Sequence, residues 1–155
     1  MPLQTSLKRK LLRNLPETIH RATKILPASA TEDLFRINDG PILVHALFGR
    51  VTTACSATAT SVSLNLDPIV GSAVIIATVL VVTSDVINTI WGIPAAVNGG
   101  LAVSGIVAAD EVLATGGWIL TEGDITLTTT AINTGVVEWY LRWSPIHPSA
   151  SVEVL

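Results

Sequence analysis

The side chains that could do chemistry are few. There are three histidines: His20 near the start, His45 inside an apolar run, and His147 between Pro145 and Pro148. General-base or metal chemistry needs imidazoles at defined spacings, such as His-x-x-x-His on one helix face, and none of the three has such a partner. His45 reads as a core or interface residue hydrogen-bonded to backbone. Serine, histidine and aspartate all occur, but without a nucleophile-elbow pattern. Asp110 and Glu111 are the adjacent acid pair. On a strand they would face opposite ways, which reads as a solvated rim; at a loop edge they could join Glu122 or Asp124 around calcium, yet no EF-type loop exists. Gly99-Gly100 precedes strand-like residues, not a helix start, so no dinucleotide or phosphate cradle is expected. The single cysteine, Cys55, allows no intrachain disulfide and no thiolate metal site, fits a reducing compartment, and reads as a small core or interface residue. No enzyme activity and no cofactor are expected.

Charge is the most uneven property of the chain. Six of the nine Lys and Arg residues lie in the first 24 positions: Lys8, Arg9, Lys10, Arg13, Arg21 and Lys24, against Glu17 alone. The other 131 residues hold no lysine, three arginines and eleven acids. Leu7, Leu11 and Leu15 recur every fourth residue, with the cations largely elsewhere around the helix, which predicts an amphipathic helix over 5–15 ended by Pro16. Residues 1–28 are expected to form this basic arm and its linker, and 29–155 the body. Three uses of the arm follow. It docks its leucine face in a partner groove with the cations steering it; it is a solvated tail; or it neutralises phosphates. The third is disfavoured because the arm lacks an aromatic for stacking and the body is acidic. The candidate partner-binding residues are therefore Leu7, Lys8, Arg9, Lys10, Leu11, Arg13, Leu15, Arg21 and Lys24.

The body must be built from strands. Period-two alternation begins near Leu34, and Asn38-Asp39-Gly40-Pro41 is a strong turn. Ile42–Phe48 is apolar on both faces apart from His45, with a bulge expected at Gly49-Arg50. Val62, Leu64 and Leu66 should face inward. Val86–Ile93 reads as a strand, and Leu101–Ala109 and Glu111–Leu113 as shorter ones. Trp118–Leu120 and Ile125–Thr130 read as a hairpin around Thr121–Asp124, with Ile125, Leu127 and Thr129 on one face. Val136–Trp143 then puts Val137, Trp139, Leu141 and Trp143 inward and Glu138, Tyr140 and Arg142 outward. Eight or so short strands between Gly, Pro and Asn turns predict an all-β fold, an antiparallel β-sandwich or jelly roll.

Composition bears on how that fold lives. Charged residues make up 14% and apolar residues 49% of the chain, and so low a charge predicts that much of the surface is covered by other copies or partners. The apolar run Ile69–Val82 is shorter than the ~18–20 residues a bilayer span needs, so it is expected to be a buried strand or short core helix. No membrane association is expected, and the amino terminus has no signal-peptide pattern.

Two stretches carry a family resemblance. Leu34–Val44 leads through Leu47-Phe48-Gly49-Arg50-Val51-Thr52-Thr53, and Gly117–Thr130 is followed by Thr134–Trp143. Together they resemble small β-rich structural proteins of tailed-bacteriophage heads. The resemblance covers about two thirds of the chain and is one of pattern. It implies a virion component: a capsid decoration (cement) protein with a jelly-roll body, often trimeric, that stabilises the major capsid protein shell at the capsid surface after assembly in the host cytoplasm. The alternatives are a head–tail connector or tail component, and a glycan-binding module of a head or tail fibre. The last would need Trp91, Trp118 and Tyr140 to face solvent around a shallow groove.

Overall fold

The computed structural model describes residues 15–93, 102–104 and 117–155. These residues contain β-strands and no helix, and every strand pair is antiparallel. In chain order the strands are β1 Glu17–Ile25, β2 Thr31–Asn38, β3 Ile42–Thr53, β4 Thr60–Pro68, β5 Val74–Val82, β6 Ile90–Gly92, β7 Ala102–Ser104, β8 Trp118–Leu120, β9 Gly123–Thr129, β10 Val136–Pro145 and β11 Ser151–Val154. One sheet has the order β1-β10-β3-β6-β7, with β8 beside the beginning of β3. The other has the order β11-β2-β9-β4-β5. The expected helix over 5–15 lies almost wholly outside the described residues.

The pairing is nested. β1 pairs β10, β2 pairs β9, β3 pairs β6 and β4 pairs β5, and successive pairs fall alternately in the two sheets. Each sheet keeps one face on a shared core, which is why inward positions alternate with polar ones. Val62, Leu64 and Leu66 on β4, Ile125, Leu127 and Thr129 on β9, and Val137, Trp139, Leu141 and Trp143 on β10 are all buried, as their alternation predicts. Trp91 and Trp139 meet at a tilted angle in this core, with ring centroids 6.3 Å apart. Each such large apolar side chain contributes about 1.5–3 kcal/mol on burial.

Several elements differ from the reading of the sequence, each for a physical reason. Residues 17–25, assigned to the arm, form β1, an edge strand paired with β10 from Glu17 opposite Trp143 to Ile25 opposite Val136, with one register shift between Arg21 and Lys24. An edge strand carries charge readily, so its cations do not mark a tether. Trp118–Leu120 and Ile125–Thr130 do not form a hairpin: β8 joins β3 in one sheet and β9 joins β2 and β4 in the other, so Thr121-Glu122 crosses between sheets. Gly49-Arg50 is not a bulge. The register of β3 slips at His45, where Ala46 faces Arg142 but Val44 faces Trp143, and again at Thr52, where Val51 faces Val137 but Thr53 faces Val136. The slip at His45 switches the inward set from Ile42 and Val44 to Leu47 and Val51. Gly49 leaves room for an indole, since a Cβ there would lie 2.9 Å from Val137 and 3.1 Å from the Trp139 ring. Within Val86–Ile93 only Ile90–Gly92 is strand, and Val86 and Ile87 are exposed in a turn. Ile69–Val82 is neither a core helix nor buried along its length; β5 occupies its second half and several of its side chains face solvent. Asn98–Gly100, Asp110 and the strand candidate Glu111–Leu113 lie outside the described residues.

Candidate functional site

Sheet register assembles a polar cluster on the outer face of the first sheet. Glu138 on β10 stands opposite Arg50 on β3, and Tyr140, two residues on and on the same face, stands between Phe48 on β3 and His20 on β1. The result is a row of stacked rings, Phe48–Tyr140–His20, with centroids 5.0 and 4.6 Å apart. The Glu138 carboxylate accepts from the Tyr140 hydroxyl at 2.8 Å and from Arg50 Nε, and lies 3.2 Å from His20 Nε2. Burial pushes the Glu138 carboxyl up, but the hydrogen bonds from Arg50, Tyr140 and His20 outweigh it and hold the group below its ordinary value. The same contacts, the bond to Glu138 first, raise the Tyr140 phenol and the Arg50 guanidinium. A carboxylate with three partners and a lowered pKa is a poor general base, and a phenol held protonated is a poor nucleophile. This cluster ties three strands together.

The remaining polar groups are engaged in the same way. His45 Nε2 lies 2.7 Å from Ser144 Oγ, so its partner is a hydroxyl and not the backbone. Among the described residues no carboxylate holds its other ring nitrogen, and a base without an orienting acid lacks the third member of a triad. Arg36 donates both Nε and Nη2 to Asp124 directly across the β2–β9 pair, at 2.7 and 2.9 Å. His147 bonds Ser149 two residues away. Among the described residues no group of three or more His, Cys, Asp or Glu side chains is arranged to hold a metal ion. No described helix is long and apolar enough to cross a membrane.

The proposed arm residues divide into three. Leu7, Lys8, Arg9, Lys10, Leu11 and Arg13 lie outside the described residues. Leu15 is exposed just ahead of β1. Arg21 and Lys24 belong to the folded body. Arg21 lies two residues beyond Ile19, on the same inward face, and is buried. It donates Nε to the Leu155 carbonyl at 3.0 Å and pairs with Glu32 on β2, which also takes Lys24. An internally neutralised, buried guanidinium is not available to a partner.

What the reading of the sequence missed is an uncharged apolar band at one edge of the second sheet. β5 exposes Val74, Ile75, Val79 and Val81, and the β4–β5 connection exposes Ile69 and Val70. Beside it runs a groove of about 400 Å³ between Leu66, Val74–Ile76 and the β8 residues Trp118–Leu120. The signal was present as a run of 14 residues, Ile69–Val82, without one charge. The aromatic groove that glycan binding would need is not formed, because Trp91 is fully buried and donates its Nε1 to Asp85 at 2.7 Å.

No protein-family model and no curated protein matches this chain. Among solved structures it is similar to "Structure of infectious bursal disease virus Gx strain", at 10% identity and a TM-score of 0.23, over 88% of this chain. The match spans 33% of that longer chain, and a score so low carries no argument about fold or function.

Proposed function

We propose that this chain is a non-enzymatic structural protein of a bacteriophage virion, a capsid decoration protein that associates with itself and braces the major capsid protein shell. The observation that carries the reading is a division of labour on its surface. The cationic and acidic clusters described above neutralise one another within the fold, while the β5 band is apolar and uncharged. A surface with its chemistry turned inward and its grease turned outward suits an assembly part.

The fold supports the same reading in its finer form. Nested antiparallel pairs that alternate between two sheets are the way a jelly roll winds, with β1, β10, β3 and β6 facing β2, β9, β4 and β5, and jelly rolls recur in viral capsid domains. The basic, leucine-bearing segment 1–16 serves as the docking arm, narrowed from 1–28 because β1 is part of the body. Cement proteins gain from multivalency, since an oligomer touching several capsomer edges raises avidity without strong single contacts.

Copy number in purified particles tests this. Hundreds of copies per particle, and rebinding of the purified chain to particles stripped of it, support decoration. Six or twelve copies would instead identify a connector or tail ring, and absence from particles would overturn the virion reading.

A further inference from the structure

We infer that two copies of this chain join edge to edge through β5, antiparallel about a two-fold axis, so that the second sheet runs on from one copy into the other. This rests on the proposed self-association and names its seam.

Among the described residues β5 pairs with β4 alone, on one side. Its nine residues, Val-Ile-Ile-Ala-Thr-Val-Leu-Val-Val, include eight apolar side chains and no charge. Val74, Ile75, Val79 and Val81 are 54, 49, 57 and 59% exposed, and Ile69 and Val70 extend the band at 68 and 88%. A free strand edge is a template for pairing, and proteins ordinarily blunt it with charge, shortness or proline. This chain does so at two of its other sheet ends. β1 carries Glu17, His20, Arg21 and Lys24, and β11 is four residues long with Glu153 at its centre. The protection is withheld at β5 alone of these three edges.

A second copy fits better than a different partner. A two-fold pairing sets each strand against its own sequence, and an uncharged strand meets no like charge when it does so. A charged partner would find nothing here to pair with. Val79 and Val81 flank such a seam, and pairing covers the part of each side chain that faces the partner strand. The β5 backbone groups that have no partner among the described residues supply hydrogen bonds across the seam. The smallest unit is then an even-numbered assembly and not the trimer that the family resemblance implies.

The test compares the full-length chain with the doubly substituted Val79→Lys/Val81→Lys chain by native mass spectrometry. Both positions face solvent in the single copy, so far-UV circular dichroism and the unfolding midpoint should hold. The expected result is a wild-type dimer and a monomeric variant. Single cysteines stepped from Thr78 to Val81 supply a second readout: strands paired about a two-fold bring one position within disulfide distance of its own copy, giving a crosslinked dimer at one or two positions. A lysine variant that keeps the wild-type assembly, with no crosslink at any position, overturns the seam and leaves self-association standing. A wild-type chain that stays monomeric throughout the micromolar range overturns both.

Discussion

Arg21 on β1 and Glu32 on β2 form an ion pair between the two sheets, at the edge where the outermost strand of one sheet meets the other. Lys24 approaches the same carboxylate from solvent, and Arg21 also holds the Leu155 carbonyl beyond β11. The cations that look like part of a tether are a clasp on the body. Glu32→Ala should therefore strand a buried guanidinium and cost about 3–5 kcal/mol, whereas Lys24→Ala, an exposed partner, should cost under ~1 kcal/mol. Urea unfolding of both variants checks the contrast.

The division between arm and body gives a deletion test. Removing residues 1–14 should leave the far-UV spectrum and cooperative unfolding intact while lowering incorporation into particles. Removing residues 1–24 takes away most of β1 with Arg21 and should abolish cooperative unfolding. Two truncations that behave alike in the unfolding assay would contradict the placement of β1.

Glu138 makes stability depend on acid. Its pKa in the folded chain is below its ordinary, unfolded value, so it contributes stability above the unfolded pKa. That contribution is lost as pH falls through the folded value. The denaturant midpoint should drop on acidification, and Glu138→Gln should flatten the drop while lowering the midpoint at neutral pH.

Gly49 should not tolerate a methyl group. A Cβ there meets Val137 and the Trp139 ring inside ordinary contact distance, so Gly49→Ala should cost about 1–3 kcal/mol through forced repacking. Pairing Gly49→Ala with Trp139→Leu, which removes the obstructing ring, should give less loss than the two changes summed; additivity would argue against the clash.

Cys55 should be unreactive until the chain opens. Burial, with Asp85 nearby, pushes its thiol up to about 11, and the thiolate is the reactive form. Native protein should react with a disulfide reagent slowly and unfolded protein at once.

Alternation made much of the architecture legible. Val62, Leu64 and Leu66, and the set from Val137 to Trp143, declare their inward face because a half-buried strand has a period of two. The failures are cases where that signal was absent or shared. β1 has Ile19 as its only described apolar side chain packed on the core, so charge dominated its appearance. Thr121–Asp124 has the composition of a hairpin turn, and nothing local says that the strands beside it belong to different sheets. The slip at His45 moves the inward phase within one strand, which no fixed period can anticipate. Ile69–Val82 reads as buried because hydrophobicity reports the wish for cover and not what supplies it. For the site, composition forecast a covered surface but gave no position, and the exposed apolar band on β5 became visible only with the sheet order.

The nested pairing also fixes an order of events. Glu17 waits for Trp143 and Thr31 for Thr128, so the ribosome must release nearly the entire polypeptide before the outer strands close. Contacts so distant in the chain fold slowly. The β4–β5 unit, joined by a short turn, needs no such wait. During translation it is the earliest ribbon available, marginal until a third strand joins it, and its apolar margin is uncovered throughout. β9 arrives on the other side of β4, so completing the sheet steadies the ribbon and leaves its outer margin as bare as before.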